Sequence, residues 1–140
     1  MKAPILYRIS SVLLLLFAAG HTFGFSQNNP EWGTDAVIGL MRSVRFDAQG
    51  FTRTYWDFFR AFGLFFSVFL LFAAVLAWLL GRLPTETLAR VRSIAWALAI
   101  SFAAVTAVSL KYAFTTPIVF STMITMCLIA AAWLSAKKLI

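Results

Sequence analysis

Four strongly apolar stretches occupy most of this 140-residue chain: residues 5–25, 58–81, 94–114 and 117–136. The hydrocarbon core of a bilayer takes about 20 apolar residues per helix, and each stretch meets that length. Within lipid every backbone N–H and C=O must find a partner inside the protein, which a helix provides along its own length. The sequence therefore predicts an all-α, integral membrane four-helix bundle in which residues 1–140 form a single four-span domain. With 61% hydrophobic residues and a mean hydropathy of +0.86, the composition lies well above the roughly 45–50% apolar content of soluble domains. No length remains for a soluble catalytic domain.

The formal charge of +7 would suggest nucleic acid in a soluble protein. Here the basic residues cluster at span ends, so they are assigned to topology and lipid headgroups, and no nucleic acid is expected. Lys2 and Arg8 sit at the first span, Arg82, Arg90 and Arg92 between the second and third, and Lys137 and Lys138 after the fourth. The connection between the first two spans balances Arg42, Arg45 and Arg53 against Glu31, Asp35 and Asp47. Basic loops favour the cytoplasm. Both termini are thus expected inside and the long first loop outside. The first span lacks an A-x-A-like cleavage site and is read as uncleaved. Cys127, the single cysteine, falls inside the fourth span and has no intramolecular disulfide partner.

The connections differ in length. Pro84 after Gly81 stops the second span, with Thr85 the expected N-cap of the next helical segment. Thr115-Thr116-Pro117 leaves space only for a tight turn, which makes spans three and four antiparallel neighbours. Only the first loop has room for structure of its own. Gln27-Asn28-Asn29-Pro30 and residues 47–50 read as turns. Between them, residues 34–44 carry Val37, Leu40, Met41 and Val44 at helical spacing, with Arg42 and Arg45 towards the other side. A short amphipathic helix is expected there, lying across the outer mouth with its apolar side turned inwards or into headgroups. The second span is expected to start near Thr52 or Thr54.

Ionisable residues in or near a span are costly and mark functional sites by default. His21, Asp57, Arg60 and Lys111 all fall on the outer side in the expected topology. Asp57 and Arg60 are three residues apart on one helix face, and Asp57 is expected to pair with Arg60 or Lys111. Tyr112, Ser109, Ser121, Thr122 and Thr125 add hydroxyls. The expected ligand-binding set is His21, Asp57, Arg60, Lys111 and Tyr112, with imidazole available for proton exchange. Gly20 and Gly24 around His21 have the G-x-x-x-G spacing that lets helices approach closely. The 15 phenylalanines are read as packing and lipid contacts. Met123, Met126 and Cys127 are soft donors but ordinary core residues, so neither a metal nor a cofactor is expected.

The stretches Gly20-His21-Thr22-Phe23-Gly24-Phe25, Arg45-Phe46-Asp47 and Gly50-Phe51-Thr52-Arg53-Thr54-Tyr55-Trp56-Asp57-Phe58 resemble a group of small bacterial four-span membrane proteins that carry no assigned activity. That resemblance implies a bacterial inner-membrane location and four helices, and nothing about chemistry. Three functions remain in play. They are binding of a lipid or small amphipathic molecule at the outer cluster, an accessory role packed against a partner membrane protein or in an oligomer, and acid–base catalysis on a lipid-like substrate by His21 and Asp57.

Overall fold

A computed structural model describes residues 2–27 and 29–136. Asn28 of the expected first turn and Lys137 and Lys138 of the expected basic end lie outside the described residues. The helices are α1 (Lys2–Phe25), α2 (Thr34–Ser43), α3 (Tyr55–Leu80), α4 (Thr85–Arg90), α5 (Arg92–Tyr112) and α6 (Thr115–Ala136). A hairpin of β1 (Arg45–Ala48) and β2 (Phe51–Thr54) precedes α3. Among the described residues, α1, α3, α5 and α6 are long and apolar enough to cross a membrane. Only 28–39% of each apolar window is buried by protein, so most of these side chains need an apolar surrounding from elsewhere. The all-α, four-span expectation agrees with this architecture.

The chain divides into two compact units, Met1–Phe17 with Leu70–Ile140, and Ala18–Phe69. The first is a packed helical core. Ser11 Oγ donates to the Ala74 carbonyl at 2.8 Å and Arg8 Nε to the Gly81 carbonyl at 3.2 Å, which fixes the start of α1 antiparallel to the end of α3. Gly81 makes this approach possible, because a Cβ there would lie 3.0 Å from the Pro4 carbonyl oxygen and 3.0 Å from Arg8 Cγ. Helices α5 and α6 pack along their length, joined across the seam by Thr106 and Thr125 hydroxyls 2.9 Å apart. The Phe17 ring stacks on Phe120 of α6, and Leu14, Leu70, Leu88, Phe102, Ile124 and Leu128 are fully buried. Of the hydroxyls expected to serve a site, Ser109, Ser121 and Thr125 are instead buried in this core. Ser121 donates back to the Ile118 carbonyl. Tyr7 is fully buried beside Ser135, whose Oγ donates to the Ala131 carbonyl at 2.7 Å. The Tyr7 hydroxyl makes no hydrogen bond among the described residues.

The connection after α3 differs from expectation in one detail. Pro84, not Thr85, occupies the N-cap of α4, and no side chain caps it. With its fixed φ and extended ψ, Pro84 turns the chain sharply, and Thr85 becomes the first helical residue.

The second unit holds the C-terminal end of α1, the first loop and the first half of α3. Asn29 caps the short 3-10 turn Pro30–Trp32 by accepting from the Glu31 N–H at 3.1 Å. Of the turn expected over residues 47–50, only Gln49 and Gly50 turn; Asp47 and Ala48 belong to β1, in a hairpin the sequence did not predict. Phe46 pairs with Arg53 and Ala48 with Phe51. Gln49 at φ 53 and Gly50 at φ 84 supply the two positive φ values that match a two-residue turn to the twist of its strands. Helix α2 forms as expected, yet Val37, Leu40 and Val44 are 59%, 65% and 40% exposed. The inward-turned lid is therefore not what this unit contains, since α2 presents its apolar edge away from the protein.

Candidate functional site

The seam between α1 and α3 inside Ala18–Phe69 carries a column of polar groups. Gly63 creates it. A Cβ at this position would lie 2.9 Å from Cδ2 and Cε2 of Phe25, so the absent side chain admits the Phe25 ring against α3. With the backbones this close, His21 Nε2 reaches the Gly63 carbonyl oxygen at 3.1 Å. A carbonyl only accepts, so this bond puts the ring proton on Nε2, and in the neutral imidazole Nδ1 carries the lone pair. The ring is half-buried and held between Phe25, at a centroid distance of 5.2 Å, and Phe66, edge-on at 4.8 Å.

One turn deeper, Thr22 Oγ1 and Ser67 Oγ are 2.7 Å apart. Each hydroxyl also has a carbonyl one turn back as acceptor, Ala18 for Thr22 at 2.8 Å and Gly63 for Ser67 at 3.2 Å, so either can be the donor between them. Such hydroxyl bonds between membrane helices contribute about 0.6 kcal/mol on average. Arg60 lies three residues before Gly63 and seven before Ser67, which places it on the same stripe of α3 towards the membrane surface. Arg60 is exposed. From the surface inwards the column therefore runs cation, imidazole, hydroxyl pair.

The other expected site residues have different employment. Asp57 does not turn to Arg60. Its Oδ2 accepts from the Thr54 N–H at 2.8 Å and from the Thr54 hydroxyl at 2.9 Å, while Thr54 Oγ1 accepts from the Asp57 N–H at 3.2 Å. This reciprocal arrangement is a capping box at the start of α3. The cations whose fields act on the carboxylate are Arg53 and Arg45 of the hairpin. The local reason is distance along the chain, because an N-cap Thr three residues upstream reaches the carboxylate without ordering a long arginine side chain. Lys111 and Tyr112 belong to the other unit. There Lys111 Nζ sits 5.0 Å from the Tyr112 ring centroid at the exposed end of α5.

The close-approach glycines also differ from expectation. A Cβ at Gly20 or Gly24 would meet nothing within 4 Å, whereas Gly63 and Gly81 are the positions in contact. Thr22, Gly63 and Ser67 complete the column around His21, and on α3 the signal for them is the small residues Gly63, Ser67 and Ala74 at intervals of four and seven.

Above the column, the Arg42 guanidinium lies 4.8 Å from the Trp56 ring centroid, tying α2 to the first turn of α3. The Phe46 ring meets Tyr55 and Phe58 at 5.2 and 5.4 Å, and the contacts continue through Phe62 to Phe65. No family model, curated protein or solved structure matches this chain.

Proposed function

We propose that this chain is a multi-pass protein of the bacterial inner membrane, with both termini cytoplasmic, that binds a lipid headgroup or small amphipathic molecule at the α1–α3 column. The observation that carries this reading is the state of His21. An ionisable side chain in an apolar helix is retained at a cost. Here one nitrogen is committed to Gly63, and Nδ1 is left to face a ligand. Arg60, one turn nearer the surface, suits a phosphate or carboxylate, since guanidinium binds such groups through paired N–H donors. The aromatic rings of Phe25 and Phe66 flank the imidazole and suit the apolar part of the same molecule.

Native mass spectrometry of protein extracted in a mild detergent tests the reading. A co-purifying phosphate- or carboxylate-bearing amphiphile is expected on the wild type, reduced on Arg60→Gln and lost from His21→Ala. Equal retention by all three proteins overturns the assignment. Arg60 is exposed, so its substitution separates loss of ligand from loss of fold.

A second reading, an accessory subunit docked on a partner helix, draws on Tyr55, Phe58, Phe62 and Phe65. Their spacing of three, four and three residues follows a heptad seam, and they are 55%, 49%, 64% and 68% exposed. The same spectra distinguish it through a retained protein partner or dimer in place of a small ligand. Acid–base catalysis draws no comparable support, because it asks for Asp57 as the partner of His21 while Thr54 already holds that carboxylate.

A further inference from the structure

Helix α2 is held in the second unit by its polar side. Arg42 lies roughly 140° around the helix from Val37, at about 100° per residue, and it is Arg42 that packs on the Trp56 ring. Thr34, Ile38 and Met41 on the flank between them are half-buried. The edge made by Val37, Leu40 and Val44 points away from this anchor and is 59%, 65% and 40% exposed.

The position of α2 along the chain says what covers that edge. It is joined on one side to the end of α1 and on the other, through the hairpin, to the start of α3. These helices have 24 and 26 residues, or about 36–39 Å at 1.5 Å per residue, enough to cross a hydrocarbon core of about 30 Å and reach the headgroups. Their shared end therefore lies at the level where amphipathic helices rest and where tryptophan collects.

Charge narrows the chemistry further. Ala18–Phe69 sets Arg42, Arg45, Arg53 and Arg60 against Glu31, Asp35, Asp47 and Asp57, and so carries no net charge. The formal +7 resides entirely in the rest of the chain.

We propose that α2 is an interfacial anchor whose Val37–Leu40–Val44 edge inserts among acyl chains of the leaflet where α1 ends and α3 begins. Apolar burial drives the insertion, and anionic lipid is not required for it. The cation–π contact of Arg42 with Trp56 sets which side of the helix faces the lipid. This anchor is independent of ligand binding at His21.

The test uses the full-length chain with Cys127→Ser and one new cysteine, Leu40→Cys or Asp35→Cys, each labelled with an environment-sensitive fluorophore. Both proteins are placed in nanodiscs of phosphatidylcholine alone or mixed with phosphatidylglycerol. The label at position 40 is expected to be quenched several-fold more by nitroxide on lipid acyl chains than the label at position 35, equally in both lipid compositions. Adding Arg42→Gln should shrink that contrast. Strong quenching of position 40 by aqueous iodide overturns the proposal, as does protection from both quenchers, which would mean that protein covers the edge. Acyl-chain quenching only with phosphatidylglycerol overturns the charge-independent mechanism, and an undiminished contrast in Arg42→Gln overturns the role given to Trp56.

Discussion

Gly81 and Gly63 both admit a neighbour at van der Waals distance, yet the neighbours differ in what they can yield. At Gly81 an added methyl would press on the Pro4 carbonyl oxygen at 3.0 Å and on the Arg8 backbone nitrogen at 3.3 Å, and the backbone of a packed helix such as α1 does not move alone. At Gly63 the obstacle is the Phe25 ring at 2.9 Å, a half-buried side chain on the last residue of α1 that can swing outwards. Overpacking of a tight interior typically costs about 1–3 kcal/mol. Gly81→Ala is expected to fall in that range, and Gly63→Ala below it, with a disturbed His21–Gly63 bond. Gly20→Ala and Gly24→Ala meet open space and should be neutral, or stabilising by up to about 1 kcal/mol through helix propensity. Thermal unfolding in detergent ranks the four. An equal or larger loss at Gly20 or Gly24 than at Gly81 would show that the G-x-x-x-G spacing, and not these contacts, governs helix approach.

At the scale of elements, the start of α3 depends on a short-range exchange between Thr54 and Asp57. An N-terminal acidic group also meets the positive end of the helix dipole, which favours its charged form there. Thr54→Val and Asp57→Ala should each raise amide hydrogen exchange of residues 55–58, while Asp57→Asn, which keeps an acceptor, should raise it less. Arg60→Gln should leave it unchanged. Unaltered exchange in Asp57→Ala would remove the capping role and return the carboxylate to the candidate site. Thr54 as a helix start was legible in the sequence, but its bond to Asp57 was obscured by an arginine at equally good helical spacing. The hairpin was not legible either. Residues 45–48 and 51–54 are nearly all exposed, with only Phe46 and Thr54 half-buried, so no alternation of polar and apolar residues announced strands. Pairing rests on the positive φ of Gln49 and Gly50, and glutamine is an unusual residue for that role.

At the scale of the whole molecule, span number and span limits were legible because twenty-residue apolar runs have few alternative fates in a bilayer. The column around His21 was legible only in part. An imidazole in an apolar run draws notice, but its partners Gly63 and Ser67 are small residues whose meaning depends on which face of α3 meets α1. Charge distribution supplies the remaining expectation, the direction of insertion. The unit Ala18–Phe69 is formally neutral while the rest of the chain holds the +7, and Arg82, Arg90 and Arg92 concentrate in the connection carrying α4. Lysine and arginine in short loops set topology because they resist translocation, and acidic residues compensate little. Arg42, Arg45 and Arg53 oppose this rule, and Arg42 is already engaged on Trp56. The balance favours α4 in the cytoplasm and α2 outside. In a Cys127→Ser background in intact cells, a membrane-impermeant thiol reagent should label Asp35→Cys from outside. Glu86→Cys, exposed at the first turn of α4, should react only after the membrane is permeabilised. The reverse pattern would invert the topology and bring the His21 column to the cytoplasmic leaflet. Removing the three arginines between α3 and α5 tests the cause, because Glu86→Cys should then become reactive from outside in part of the population.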